Sequence, residues 1–162
     1  MDLQVVDNFL SLHEFRELES AVMGVYFPWY YHDHKVHKDD GHVQFVHTLF
    51  DVEKGGENSP ALSLFESTLK RLKAKKLYRI KANLTYKTIF NRSTPYHFDW
   101  PNVRTSILYM NTNNGYTKFR SGPKVKSVTN RMVTFNSNIF HHGASCTNPK
   151  RRVVINFNYE SN

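Results

Sequence analysis

The sequence feature that most constrains the fold is a change of hydrophobic period near residue 77. From there, apolar and polar residues alternate along the chain. One side carries Tyr78, Ile80, Ala82, Leu84 and Tyr86. The other side carries Arg79, Lys81, Asn83, Thr85 and Lys87. Successive side chains of a β-strand point to opposite faces of a sheet, so a period of two predicts a long strand.

Short strands and frequent turns continue to the end of the sequence. Turn residues separate predicted strands at 105–110, 116–120, 125–129, 132–136, 139–142 and 151–159. Before residue 77, the periodicity predicts a strand at 43–50 and helices at 12–23 and 61–75. Ser11 and Glu14 form a capping-box pattern at the start of the first helix. Helices followed by many short strands predict an all-β barrel or sandwich that N-terminal helices buttress.

Length and composition indicate a single globular domain. The chain has 162 residues, 40% of them hydrophobic and 14% aromatic, which is not the composition of a disordered chain. Its one cysteine, Cys146, excludes an intrachain disulfide and fits a reducing compartment, so we expect a cytoplasmic location. Residues 1–4 have no basic or apolar signal region, and no apolar run is long enough for a bilayer. We therefore expect no secretory signal and no membrane partner.

The charges are distributed unevenly along the sequence. Residues 1–66 hold 12 acidic and 4 basic residues, whereas residues 67–162 hold 2 acidic and 18 basic residues. The two parts either pack together and cancel much of this field, or present a basic surface to an anionic substrate or cosubstrate. Asp99 is the only acidic residue between Ser67 and Tyr159, which suggests that it has a specific role.

His97 and Asp99 are candidate metal ligands. Residues two apart in an extended strand point to the same side, so an imidazole and a carboxylate can reach one ion. His141 and His142 follow 44 and 45 residues after His97. Two imidazoles and one carboxylate form the facial triad of non-haem Fe(II) oxygenases, which leaves coordination positions open. The pair could otherwise be an ordinary hydrogen-bonded pair without a metal.

The order of these residues resembles that of the Fe(II)/2-oxoglutarate dioxygenase superfamily. The shared pattern is His97-x-Asp99, a distal histidine, and a basic residue at the start of a final apolar strand. Within the superfamily, the chain resembles the prolyl-hydroxylase-like branch and the small oxygenases of tailed bacteriophages. The similar phrases are 107–111 (ILYMN), 115–119 (GYTKF) and 145–157 (SCTNPKRRVVINF).

The resemblance implies a fold, cofactors and residue roles. The fold would be mainly β, a double-stranded β-helix (jelly roll) buttressed by N-terminal α-helices. His97, Asp99 and His141 would bind Fe(II), and Arg152 would pair with the far carboxylate of 2-oxoglutarate. Tyr109 and Tyr86 would also contact the cosubstrate. The implied activity is O₂-dependent hydroxylation with release of succinate and CO₂, with ascorbate as a reductant.

Two of these assignments have an alternative in the neighbouring residue. Adjacent strand residues face opposite ways, so only one of His141 and His142 can be a ligand. We favour His141, because members of the family often read His-x-Gly and Gly143 follows at that spacing. For the basic pair at 151 and 152 we favour the second, because Arg152 shares its face with a more polar set, Val154, Asn156 and Asn158.

A histidine-rich segment at residues 32–42 lies outside this pattern. It is either a second metal site or a solvated loop near a substrate entrance. None of its spacings matches a known site, so we favour the loop.

A competing interpretation of the whole chain is a catalytically inactive, cupin-like module that binds a metal or a nucleic acid. The substrate is left open as a small molecule, a protein or a nucleic acid, and the oligomeric state is also open. We expect one domain, in which residues 1–76 provide helical support and substrate-side loops and residues 77–162 form the jelly-roll core.

Overall fold

A computed structural model describes residues 2–38 and 40–161. The helices are α1 (Leu12–Val22) and α2 (Glu66–Leu72), and two short 3-10 helices cover Val52–Lys54 and Pro60–Phe65. The strands are β1 (Leu3–Val6), β2 (Tyr30–His32), β3 (Gln44–Asp51), β4 (Gly56–Glu57), β5 (Ala74–Tyr86), β6 (Arg104–Tyr109), β7 (Tyr116–Phe119), β8 (Lys124–Lys126), β9 (Arg131–Asn136), β10 (His141–Ala144) and β11 (Arg151–Ser161). The prediction of a mainly β chain with helices near the N-terminus is confirmed.

The strands form two antiparallel sheets. The larger sheet has the order β1-β9-β6-β11-β5-β3-β2, and β4 pairs with β3 at its edge. The smaller sheet has the order β10-β7-β8. In chain order, β7 and β8 lie between β6 and β9 of the larger sheet, and β10 lies between β9 and β11. Two sheets of this kind, with residues of both around a shared cavity, agree with the predicted jelly roll.

The larger sheet buries both of its faces, against different partners. One face packs on the N-terminal helices through a cluster that includes Phe15, Leu18, Phe65, Ile80, Ile155 and Phe157. The other face joins the smaller sheet through Ile107, Tyr109, Phe119, Val125, Phe135 and Val154. The alternation along β5 and β11 therefore separates residues that support the helices from residues that face the smaller sheet.

The first helix follows its sequence signals. Ser11 caps α1, since its hydroxyl accepts from the Glu14 N–H while the Glu14 carboxylate accepts from the Ser11 N–H. The Glu14 carboxylate also accepts a 2.9 Å bond from Arg71 at the end of α2. The capping box is thereby confirmed, and it also links the two helices.

The predicted helix at 61–75 is wrong in extent and type. A 3-10 helix begins at Pro60, where the Ser59 hydroxyl accepts from the Ala61 N–H at 3.2 Å. α2 then runs for only seven residues and ends at Lys73, whose φ of 53° is left-handed. β5 begins at the next residue, so strand pairing takes the residues that helical periodicity had assigned to the helix.

Neither α-helix in the part of the chain that the structure describes has the length and apolar character to cross a bilayer.

Candidate metal and cosubstrate site

A cavity of about 490 Å³ opens between the two sheets. The larger sheet contributes its polar face to the wall, through alternate residues of β5 and β11. The smaller sheet contributes β7 and β10, and the loop before β6 contributes the segment from Tyr96 to Asp99. This volume is in the usual range for a small-molecule site.

His97, Asp99 and His141 meet in the wall of this cavity. Their candidate ligand atoms all lie within 4.8 Å of one another. The sequence argument placed His97 and Asp99 in extended backbone, and the structure has His97 in an isolated antiparallel bridge with His141. The His97 N–H donates to the His141 carbonyl at 3.0 Å, and the His141 N–H donates back at 2.9 Å. This bridge holds two of the three side chains side by side.

The backbone also orients both imidazole rings. His97 Nδ1 lies 3.1 Å from the Pro95 carbonyl oxygen, and His141 Nδ1 lies 3.0 Å from the Ile139 carbonyl oxygen. A carbonyl can only accept, so in the neutral rings Nδ1 carries the proton and Nε2 keeps its lone pair. Burial, followed by the nearby His141, lowers the pKa of His97, which favours the neutral form. Neutral imidazoles with Nε2 free are metal ligands.

The Asp99 carboxylate is buried and only half satisfied. Its side chain is 5% exposed, and its Oδ1 accepts from Arg79 Nη2 at 3.3 Å. Its Oδ2 has no hydrogen-bond partner in residues 2–38 and 40–161, and lies 3.6 Å from His141 Nε2. Burial alone would raise the pKa of this carboxyl, but the positive charges of His141 in its protonated form and of Arg79 outweigh it and lower the pKa.

These observations test whether an iron ion fits the three residues. An ionised carboxylate oxygen without a partner is costly in a buried position, and a cation would satisfy it. Two imidazole nitrogens and one carboxylate oxygen are the donor set that non-haem Fe(II) prefers. The three residues fit such an ion. No other group of three potential ligands comes this close together in the described part of the chain.

Arg152 lies in the same cavity, on the polar face of β11. It is 6% exposed, and its Nε donates to Ser127 Oγ at 3.0 Å. Its Nη2 lies 3.4 Å from Thr117 Oγ1. Burial lowers its pKa. Gly115 packs against its stem, since a Cβ there would lie 2.6 Å from Arg152 Cδ. The guanidinium is therefore held in place by neutral hydroxyls, with no carboxylate within 4 Å in the described residues.

Tyr109 supports this arrangement from behind. It is fully buried, and its hydroxyl donates to Thr117 Oγ1 at 2.8 Å. Arg152 Cζ lies 5.7 Å from the centre of its ring. Tyr109 is not part of the cavity wall. Thr117 thus links Tyr109, which lies one layer behind the cavity surface, to Arg152 in the cavity wall.

The two neighbouring alternatives face away from the cavity. The His142 ring packs against Tyr96, with 4.7 Å between ring centres, and is not among the residues of the wall. Arg151 donates to the Met23 carbonyl at 2.6 Å on the helix side of the sheet. The geometry therefore agrees with the preference for the second arginine and for His141.

Tyr86, the second predicted cosubstrate contact, is not brought to the cavity by the structure. Tyr86 is 42% exposed and does not line the cavity, whereas its neighbour Thr85 does. The physical reason is the period of two, which puts Tyr86 on the same face as Ile80 and Leu84. That alternation is visible in the sequence, whereas the assignment of Tyr86 to the cosubstrate rested on the family resemblance.

Basic residues of the cavity were not identified from the sequence as site residues. Arg79 and Lys81 line it from β5, and Lys35 lines it from the histidine-rich segment. Asp40 organises that segment, because its carboxylate accepts from the backbone N–H groups of residues 35, 36, 37 and 42. The segment thus forms part of the cavity wall. Periodicity gave no signal for Arg79 and Lys81, because the polar side of an alternating strand reads as the solvent-facing side.

Comparisons with known proteins support the fold. No protein-family model and no curated protein sequence matches the chain. Among solved structures, a prolyl-4-hydroxylase from Pseudomonas putida is similar with a TM-score of 0.69 and 11% identity, over 99% of this chain and 92% of that one. A 2OG-Fe(II) oxygenase family oxidoreductase from Burkholderia pseudomallei has a TM-score of 0.68 and 11% identity, over 98% and 84%.

A third similar structure carries a different activity in its name. The non-haem, α-ketoglutarate-dependent epimerase of nogalamycin biosynthesis has a TM-score of 0.62 and 12% identity, over 98% of this chain and 78% of that one. At these identities the likeness concerns the fold, which hosts more than one reaction. The chain therefore has the jelly-roll fold of the 2-oxoglutarate- and Fe(II)-dependent oxygenases, with a His-Asp-His group that could hold a metal.

Proposed function

We propose that this protein is a non-haem Fe(II)- and 2-oxoglutarate-dependent oxygenase. The observation that carries the proposal is a single cavity that contains both the His97–Asp99–His141 group and the buried guanidinium of Arg152. The fold shared with known oxygenases adds support. An unpartnered carboxylate oxygen and a buried arginine without a carboxylate are costly, and a metal with a dicarboxylate would satisfy both.

Each residue of the site has a proposed task. His97, Asp99 and His141 would hold Fe(II), and Arg79 would fix the Asp99 carboxylate through Oδ1. The carbonyls of Pro95 and Ile139 would keep both histidines in the tautomer that binds metal.

Arg152 would pair with the far carboxylate of 2-oxoglutarate, because its planar guanidinium suits a bidentate contact. Thr117, which contacts both Arg152 and Tyr109, would hold that arginine in position. When bound, iron with 2-oxoglutarate supplies the O₂-dependent oxidation of a substrate C–H bond, with release of succinate and CO₂.

Hydroxylation is the reaction that we propose within this class. A prolyl-4-hydroxylase is among the similar structures, and the sequence resembles that branch. The epimerase among the similar structures names the main alternative outcome for the same cofactors.

The proposal is tested by measuring binding and turnover separately. Calorimetry should detect Mn(II), used as a stand-in for iron, and then 2-oxoglutarate, which we expect to bind only weakly without the metal. Incubation with Fe(II), ascorbate and 2-oxoglutarate in air should release succinate even without a primary substrate. Replacing His97 or Asp99 with Ala should abolish both signals, whereas H13A should change neither, because His13 is exposed on α1.

A protein that binds neither Mn(II) nor 2-oxoglutarate contradicts the proposal. Metal binding without 2-oxoglutarate binding or succinate would instead favour the inactive, cupin-like module.

A further inference from the structure

The cavity contains more positive charge than the metal and the cosubstrate require. Four cationic side chains and one carboxylate line it, namely Lys35, Arg79, Lys81, Arg152 and Asp99. With neutral histidines, the formal charge of the wall is thus +3. Fe(II) and the 2-oxoglutarate dianion would cancel each other, so they would leave that excess unchanged. Since unpaired charge inside a protein is unfavourable, a further anion is expected there.

The cations form two groups at different positions along the paired strands β5 and β11. In the pairing of β5 with β11, Arg152 lies opposite Thr85, whereas Lys81 lies opposite Asn156. Four residues of strand separate these positions, which is roughly 13 Å at about 3.3 Å per residue. Burial is the main cause that lowers the pKa of Lys35, to about 8, and Arg152 is the cation that contributes most to that shift, so Lys35 belongs to the first group.

Lys81 belongs to the second group. Burial is the main cause that lowers its pKa, to about 8, and Arg79 is the cation that contributes most to that shift. We name Arg79 and Lys81 the second basic group.

The second basic group has unused hydrogen-bonding capacity. Arg79 binds Asp99 through Nη2, but its Nε, an N–H donor, is buried without a partner in the described residues. The ion pairs found in this cavity join Asp99 to Arg79 and to His141, so none of them neutralises Lys81. A single 2-oxoglutarate molecule is too short for its two carboxylates to contact both groups. Its carboxyl carbons lie roughly 5 Å apart, with four C–C bonds of about 1.5 Å between them.

Aromatic rings lie in the wall of the same cavity. Tyr96, Phe98 and Phe140 line it and are 39%, 46% and 40% exposed. The rings of Phe98 and Phe140 pack edge to face, with centres 5.6 Å apart. Exposed aromatic surface at a cavity is suited to the apolar part of a ligand.

Building on the proposed oxygenase function, we propose that the primary substrate is a small molecule with a terminal carboxylate or phosphate. The second basic group, with Lys81 at its centre, binds that anion, and the aromatic rings contact the rest of the molecule. The position of Lys81 inside a cavity favours the end of a small anion over the continuous backbone of a nucleic acid, which needs an open basic surface.

The test uses simple aromatic anions as probes. The protein is first loaded with Mn(II) and 2-oxoglutarate, and phenyl phosphate, phenylacetate or benzyl alcohol is then titrated by calorimetry. We expect one or both anions to bind, and the tighter one identifies phosphate or carboxylate as the recognised group. Benzyl alcohol should not bind measurably. K81Q and K81M should each weaken the anion at least about tenfold, because a charge-assisted hydrogen bond is lost.

Matched controls separate this inference from the proposed function. K75Q removes an exposed lysine of the same strand and should leave probe affinity within about twofold. Equal probe binding by wild type and both Lys81 variants would overturn the inference. So would a loss of 2-oxoglutarate affinity in K81Q as large as the loss of probe affinity, since Lys81 would then belong to the cosubstrate. Tighter binding of a single-stranded oligonucleotide, unchanged in K81Q, would move anion recognition to the outer surface.

The proposed function is tested earlier in the same series. A protein that binds neither Mn(II) nor 2-oxoglutarate contradicts the oxygenase, and Lys81-dependent probe binding would then show an anion site without that activity. A protein that binds both, with no Lys81-dependent probe binding, contradicts only the anionic substrate.

Discussion

Arg152 gives the sharpest prediction, because its proposed task conflicts with the stability of the folded protein. The guanidinium is buried, and its contacts are two neutral hydroxyls, those of Ser127 and Thr117. Desolvating such a charge costs several kcal/mol, which hydroxyl contacts recover only in part. We therefore expect Arg152→Met to bind 2-oxoglutarate poorly and yet to unfold at a higher temperature than wild type.

The magnitudes follow from these contacts. Met fills much of the same space without charge, but it leaves Ser127 Oγ without a partner, which costs about 1–3 kcal/mol. Against a relief of several kcal/mol, we expect a net stabilisation of about 2 kcal/mol. For a chain of this size, that raises Tm by about 4–8 °C. The lost bidentate contact should cost about 3 kcal/mol of binding, a weakening of at least about 100-fold.

Thermal unfolding without ligands and calorimetry with Mn(II) and 2-oxoglutarate measure the two effects. Arg151→Met is the matched control, since Arg151 contacts the Met23 carbonyl on the other face of the sheet. It should keep 2-oxoglutarate affinity and lose about 1 kcal/mol of stability. The reasoning is refuted if R152M binds 2-oxoglutarate as wild type does, or if its Tm falls by several degrees.

Two further predictions concern the distal histidine and the first helix. H141A should weaken Mn(II) binding at least about 100-fold, whereas H142A should stay within a few fold, because the His142 ring lies outside the cavity wall. For Glu14, hydrogen bonds from Ser11 lower the pKa from 4.5 to about 2, so its ionised form stabilises the folded state above pH 4.5. The excess unfolding free energy of wild type over E14Q, measured in urea, should therefore shrink as pH falls from about 4.5 towards 2.

Each of these two predictions has a clear contrary result. Loss of metal binding in H142A with retention in H141A would reverse the ligand assignment. For the first helix, a stability difference between wild type and E14Q that stays constant from pH 7 to pH 2 would contradict the role of the ionised carboxylate.

The alternation of β5 and β11 made much of the fold and part of the site predictable. A period of two fixes which residues share a face, and this alone distinguishes Arg152 from Arg151 in the sequence. The same rule applied to Tyr86 would have removed it from the site. Local patterns succeed here because the pairings of β11 with β5 and with β6 keep their register over the residues at the cavity.

Other parts of the site depend on contacts between distant residues. His97 lies outside regular strands, and its bridge to His141 and the Pro95 carbonyl set its direction. Lys35 reaches the cavity from an irregular loop, whose backbone N–H groups donate to the Asp40 carboxylate. No hydrophobic periodicity predicts such a loop. Lys81 looked like an ordinary solvent-facing residue of an alternating strand. Its burial follows from the smaller sheet, which covers the face that sequence patterning reads as exposed.

The reciprocal backbone bonds between His97 and His141 have a consequence for how the site forms. Two hydrogen bonds between main-chain groups fix the spacing of these residues without help from an ion. The entropy of ordering them is therefore lost when the protein folds and not when the metal arrives. Amide hydrogen exchange at these two positions in the metal-free protein would measure how stable the two bonds are. Metal association would then occur at residues that are already ordered, without a loop folding around the ion.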